Sequence, residues 1–169
     1  MKILVFGNSG SGKTTLSTQL AEAHALSHLD LDSLAWLPST PPERKPLVES
    51  ANEIKQFMAK NQNWVIEGCY ADLLELTVSY ATEIIYLDLP IEQCINNAKN
   101  RPWEPSKYVS KKAQDANLEM LINWISRYNN RQDCFSRSAH ENLYHGYSGK
   151  KTLYTCNSSY SSKVLPLQN

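Results

Sequence analysis

Gly7-Asn8-Ser9-Gly10-Ser11-Gly12-Lys13-Thr14 decides the reading of this chain. The octapeptide fits G-x-x-x-x-G-K-[ST], a glycine-rich loop whose main-chain N–H groups wrap a phosphate. Its flanks supply the required context. Lys2-Ile3-Leu4-Val5-Phe6 is a short apolar run that reads as a buried strand. Downstream, Leu16, Leu20 and Ala23 recur at helical spacing, so a helix N-terminus adds partial positive charge to the loop. All eight residues from Gly7 to Thr14, with Thr15 behind them, are therefore candidate phosphate ligands. Lys13 has the reach for β- and γ-phosphates, and the Thr14 hydroxyl suits Mg²⁺.

Size and composition set the frame. A chain of 169 residues is expected to form one domain, 1–169. No stretch approaches the ~18 apolar residues of a membrane span. The first residues read as a strand and lack a signal-peptide layout, so a cytoplasmic location is expected. Cys69, Cys94, Cys134 and Cys156 are scattered without a C-x-x-C, and His24, His28, His140 and His145 lack metal spacing beside them. Neither a disulfide frame nor a zinc site follows. Net charge is zero, but residues 1–90 are acidic and 91–169 basic. A basic C-terminal half suits a clamp over a polyphosphate, or simply solvated faces. No dense basic run with interleaved aromatics points to nucleic acid.

Strand-like runs at 2–6, 26–31, 64–66, 84–87 and 152–155 alternate with helix candidates at 13–24, 47–61, 71–80, 91–100, 111–128 and 130–143. Such alternation predicts an α/β fold, a parallel sheet with helices on both faces and its ligand at the carboxyl ends of the strands. Two segments read as loops. Residues 36–46 hold four prolines, and 100–107 contain Arg101, Pro102 and Pro105. The tail at 158–162 reads as a polar loop.

The strand ends carry the candidate chemistry. Asp30 and Asp32 close the second strand, and period two would place both on one face. One could accept a substrate hydroxyl's proton while the other binds through metal-bound water. Asp32 also suits a helix N-cap. Glu67-Gly68 closes the third strand: Glu67 as a Mg²⁺ ligand, directly or through water, or as a solvated turn residue, and Gly68 as a point of close ligand approach. Asp88 reads equally as a metal-binding acid and as a cap. Arg101 opens the second loop. Arg127 and Arg131, four apart on an expected helix, could converge on a transferring phosphoryl group or lie on the surface. Trp36, Tyr70 and Trp103 could stack on a ring ligand or pack a lid.

Taken together, several stretches resemble the nucleoside and small-molecule kinase group of P-loop proteins, which holds adenylate and shikimate kinases. They are 7–14, His28 to Pro38, Trp64 to Tyr70, Ile84 to Pro90 with Cys94, and Gly149-Lys150-Lys151. The likeness is greatest to the adenylate-kinase-like proteins called DNA topology modulation proteins. That resemblance implies a P-loop NTPase fold with a five-stranded parallel sheet and a short lid at 100–110. It implies ATP and Mg²⁺ as cofactors and a small-molecule acceptor as partner. It implies Lys13, Asp32, Arg101 and Arg127 as catalytic residues. Segment 36–62 would lie on the acceptor side, with Asp30, Asp32, Arg44 and Gly68 as acceptor ligands. There are departures. Monophosphate kinases carry an arginine just after the acidic-Gly pair, whereas here Cys69-Tyr70-Ala71-Asp72 follows and Arg44 is the sole early arginine. That leaves an uncharged acceptor open. The lid is also too short for the zinc-bearing type. The expected activity is ATP-dependent phosphoryl transfer, by a monomer or weak homodimer. The alternative is an ATP-binding regulatory protein with slow hydrolysis and no acceptor; no N-K-x-D segment supports a guanine switch.

Overall fold

A computed structural model describes residues 1–105 and 107–157. Ser106 and the tail expected at 158–162 lie outside them. Five strands form one sheet: β1 (Lys2–Gly7), β2 (Ser27–Asp30), β3 (Trp64–Gly68), β4 (Glu83–Leu87) and β5 (Lys150–Tyr154). Their spatial order is β2-β3-β1-β4-β5, and every pairing is parallel. The chain has the α/β P-loop kinase-like fold.

Strand composition explains the order. β1 and β3 lie inside the sheet and are buried along nearly their whole length, as continuous apolar runs require. β2 and β5 form the edges; β2 is only partly buried, and Lys150, Lys151 and Leu153 of β5 are exposed. Side chains alternate across the sheet and build a core on each face. Leu4, Phe6, Ile66 and Tyr86 pack on one side with α3 (Leu47–Lys60), α4 (Ala71–Glu75) and α8 (Arg137–Gly146). Ile3, Val5, Val65 and Leu87 pack on the other with α1 (Lys13–His24), α5 (Ile91–Lys99) and α7 (Leu118–Ser126). The remaining helices, α2 (Asp32–Ala35) and α6 (Lys111–Ala116), are short.

Three helix expectations need correction. The helix expected at 71–80 stops at Glu75, and a separate 3₁₀ turn covers Val78–Tyr80. The β-branched pair Thr77-Val78 disfavours continuation, and the Thr77 hydroxyl donates to Leu74 O. The helix expected at 111–128 is two helices broken at Asn117, whose side chain donates to the Tyr108 hydroxyl. The helix expected at 130–143 begins only at Arg137. Ahead of it, Asp133 binds both Arg131 and the Phe135 N–H, and the Ser136 hydroxyl caps α8 by accepting from Ala139 N. Local side-chain bonds of this kind outbid helix for 131–136. Arg127 and Arg131 consequently do not share a helix.

Candidate active site

The octapeptide joins β1 to α1 and forms a cradle. Gly10 (φ 75°) and Gly12 (φ 92°) both have left-handed backbones. A Cβ on Gly10 would also stand 2.4 Å from Cys94 O, so this turn admits only glycine. Asparagines tie the loop down from outside. Asn97 on α5 donates to Gly10 O at 2.8 Å, and Asn157 donates to Ser11 O at 3.0 Å. Asn8, itself buried, donates to Ile125 O at the end of α7. With its carbonyls engaged, the loop offers N–H groups and the α1 N-terminus to an anion. Asn8 is thus a strut whose side chain points away from any phosphate. The Lys13 ammonium donates to Asn8 O at 2.9 Å.

In front of the cradle lies a cleft of about 720 Å³. Lys13, Thr14 and Thr15 of the cradle line it together with Asp32, Glu67, Gly68, Arg101 and Lys107. Parallel pairing of β2 with β3 puts Asp30 in register with Glu67. Glu67 is buried, 3.6 Å from His28 Nε2, and its Oε1 has no hydrogen-bond partner among the described residues. Cys69 also lines the cleft. Burial pushes its thiol up to about 12, so it stays protonated and inert as a nucleophile.

Asp30 and Asp32 come together, but not through strand period. β2 ends at Asp30, the chain turns, and Asp32 opens α2. Asp32 is no N-cap: Asp30 Oδ1 accepts from Asp32 N at 2.9 Å, and Asp32 Oδ1 accepts from the Tyr70 hydroxyl at 2.6 Å. The two Oδ2 atoms converge on the Lys107 ammonium, 3.1 Å from Asp30 and 2.8 Å from Asp32. Burial, reinforced by the charges of Asp32 and Glu67, pushes the Asp30 carboxyl above its ordinary range. Burial acts upward on Asp32 too. There Lys107, the Tyr70 hydroxyl and Lys13 outweigh it and hold the carboxyl below its ordinary range. The ammonium of Lys107 is held protonated; burial opposes this, and Asp32 and Asp30 prevail.

Other expected site residues sit elsewhere. Arg44 does not line the cleft. It pairs with Asp72 at 3.0 Å, donates to Ala35 O, and lies over the rings of Trp36, Tyr70 and Phe135. It is a packing hub for the 36–46 segment, not an acceptor ligand. Trp36 and Tyr70 belong to that hub, with Trp36 Nε1 donating to the Tyr70 hydroxyl at 2.7 Å. Arg127 is exposed at the end of α7, outside the cleft lining, and Arg131 stacks on Trp124 and forks onto Asp133. Neither converges with Arg101, which pairs with Glu104 at 2.8 Å. Gly68 touches the cleft, but close packing explains it: a Cβ there would stand 2.9 Å from Leu31 Cβ. Asp88 does not cap α5, whose N-cap is Pro90, and its carboxylate is engaged elsewhere. Arg137 grips it with two hydrogen bonds, 3.0 and 2.7 Å.

A family model described as an AAA domain matches residues 3–119. The chain belongs to the AAA domain family. The matched span holds the cradle, Asp30, Asp32, Glu67 and Lys107. No curated protein matches the sequence. Solved structures of similar fold include three kinases. Deoxyadenosine kinase from M. mycoides with bound dATP superposes with TM-score 0.52 at 15% identity, over 97% of this chain and 95% of that one. Shikimate kinase from Bacteroides thetaiotaomicron gives 0.50 at 16%, over 96% and 93%. A sugar kinase from Janibacter sp. HTCC2649, unliganded, gives 0.51 at 13%, over 90% and 83%. At such identity the likeness carries the fold, not the substrate.

The sequence reading missed Lys107, Asn97 and Asn157. Lys107 stood inside the expected lid as an ordinary surface lysine. Only its placement opposite two aspartates gives it a role. No helix among the described residues is long and apolar enough to cross a membrane.

Proposed function

We propose that this chain is an ATP- and Mg²⁺-dependent phosphotransferase acting on a small-molecule hydroxyl. The observation that carries the reading is one cleft lined by both Lys13 of the cradle and Asp32. The residues present fit the nucleotide and its metal. A cradle that only glycine can form, the N-terminus of α1 and Lys13 suit a polyphosphate. Thr14, with Glu67 lining the same cleft, suits a hydrated divalent cation. Bound there, Mg²⁺ would supply charge neutralisation at the phosphate oxygens.

Catalysis is then positioning and electrostatics. Asp32 holds the acceptor hydroxyl and accepts its proton as the oxygen bonds to the γ-phosphorus. The bond to the β,γ-bridging oxygen breaks, and that oxygen keeps the electron pair and leaves on ADP. A carboxylate held below its ordinary range is a weak base. Its main work is orientation, which a loose phosphoryl-transfer transition state requires. Lys13 and Arg101 stabilise charge on the phosphoryl oxygens. Asp30, Asp32 and Glu67 form the acceptor side, the described residues of 100–110 cover it, and segment 36–62 braces it through Trp36, which donates to the Tyr70 hydroxyl. The narrower adenylate-kinase-like placement, cytoplasmic residence and a monomeric or weakly dimeric state belong to the same reading.

The test is ADP release from ATP·Mg²⁺ across a panel of alcohols, nucleosides and nucleoside monophosphates. Acceptor-dependent ADP formation is expected. An identical slow rate with every acceptor would favour the regulatory alternative.

A further inference from the structure

Resting on the phosphotransferase reading, we propose that the acceptor is an alcohol bearing a protonated amine, with Asp30 receiving the ammonium and Asp32 the hydroxyl. The chain already seats such a group. Each aspartate has its Oδ1 engaged by the protein, Asp30 by Asp32 N and Asp32 by the Tyr70 hydroxyl. Tyr70 is fixed in turn by Trp36. Both Oδ2 atoms are thereby aimed at one point, where the Lys107 ammonium sits at 3.1 and 2.8 Å. This is a preorganised receptor for a compact cation with several N–H donors.

A second observation points the same way. Glu67 is 1% exposed and lines the cleft; among the described residues its Oε1 has no hydrogen-bond partner, His28 Nε2 standing 3.6 Å away. It is the register partner of Asp30. A buried carboxylate oxygen without a donor is costly, and an ammonium or a metal-bound water supplies the donor. The acceptor end therefore gathers Asp30 and Asp32 around one lysine, with Glu67 in register beside Asp30.

Charge also excludes the main alternative. A nucleoside monophosphate needs a free guanidinium to hold its phosphate dianion. Arg44 is spent on Asp72 at 3.0 Å, outside the cleft lining, and the phosphotransferase reading commits Arg101 to the transferring phosphoryl group. A dianion placed beside three carboxylates is repelled. An ammonium takes over the contacts of Lys107, whose flexible stem swings clear. Lys107 is thus an internal competitor with the acceptor, and removing it should strengthen acceptor binding.

Glucosamine, N-acetylglucosamine and glucose form a matched test, since only the first carries an ammonium. ADP release with ATP·Mg²⁺ should favour glucosamine over both neutral sugars by about tenfold in kcat/KM, the difference between a charged and a neutral hydrogen bond. Lys107→Ala should lower the KM for glucosamine relative to the KM for glucose. A residue that merely braces the fold would raise both. Asp30→Asn keeps the Oδ1 that accepts from Asp32 N, so the turn survives, and the preference should fall to near unity. Calorimetric titration of glucosamine and N-acetylglucosamine runs in parallel without turnover. Turnover of glucose or AMP at or above the glucosamine rate overturns the amine inference and leaves the phosphotransferase standing. Tight, Asp30-dependent glucosamine binding with no ADP release does the reverse. Equal, weak binding of both sugars overturns the inference whatever the kinetics show.

Discussion

The two ends of the cleft are built from different materials. The phosphate end is main chain: a loop shaped by Gly10 and Gly12, held by three asparagine amides and closed by a helix N-terminus. The acceptor end is side chain: two aspartates, a buried glutamate, a lysine and a tyrosine, drawn from β2, α2, β3 and residues that follow α5. Backbone donors have fixed geometry and no protonation state, which suits a ligand common to many reactions. Side-chain ion pairs are readily exchanged between substrates and between evolutionary relatives. The difference also sets what each end tolerates. The first should fail on small steric changes, and the second on small charge changes.

The largest effect tests the phosphate end. Lys13→Ala should cut phosphoryl transfer by about 10³-fold or more, as loss of a preorganised cation at the reacting phosphate does. Its thermal unfolding midpoint should stay near that of the wild type, because among the described residues the Lys13 ammonium makes one hydrogen bond, to Asn8 O. A variant with most of its activity intact would remove the cradle from the chemistry. Asp32→Asn comes next. The amide keeps an oxygen for the Tyr70 hydroxyl but cannot accept a proton, so turnover should drop about 10²-fold. ATP affinity should hardly change, since Asp32 stands on the acceptor side. Parallel losses in turnover and ATP binding would show that the two ends are not separable.

A steric test sharpens the contrast. Gly10→Ala forces a Cβ to within 2.4 Å of Cys94 O at a φ that L-residues avoid. Urea unfolding should show a loss of about 2–4 kcal/mol, at the upper end of single-residue effects. Gly146→Ala is the control, because a Cβ there meets nothing within 4 Å. It should be neutral or slightly stabilising, as an alanine replacing a glycine at the end of α8. Equal costs at both positions would mean the cradle is softer than its geometry implies.

The same division separates what sequence makes legible from what it hides. The strand, loop and first helix are contiguous, so 2–24 can be read residue by residue. Apolar runs likewise located all five strands, and the carboxylates at their ends locate the cleft. What escapes is juxtaposition. Lys107 meets Asp32 across 75 residues, Asn97 reaches Gly10 across 87, and Asn157 reaches Ser11 across 146. No local pattern encodes those meetings. Arg44 is hidden for the same reason: it looks like a free cation until Asp72 is seen beside it. Helix ends failed for a local reason: Thr77 and Asp133 each offered the backbone a competing bond, and the Asn117 side chain bonded the Tyr108 hydroxyl instead.

The smallest effect concerns how the acceptor end is braced. Buried His140 lies behind the end of β3, with Nε2 3.1 Å from Cys69 O. A carbonyl only accepts, so Nε2 carries the proton and Nδ1 accepts from the Tyr128 hydroxyl at 2.7 Å. Tyr128 and Tyr86 hydroxyls are 3.0 Å apart, and Tyr86 lies beside Asp88 and its partner Arg137. Burial drives the His140 pKa down to about 3 from an ordinary 6.5. The folded protein thus holds His140 neutral, while the unfolded chain binds a proton there below 6.5. Stability from this residue is complete above pH 6.5 and is lost as pH falls toward 3. The slope is at most about 1.4 kcal/mol per pH unit for one proton. Melting curves between pH 7 and 4 should therefore fall more steeply for the wild type than for His140→Gln, whose amide can still donate to Cys69 O. Parallel melting slopes in the two proteins would mean that carboxylates alone set the acid limit, and that the imidazole is not what keeps the acceptor end in shape.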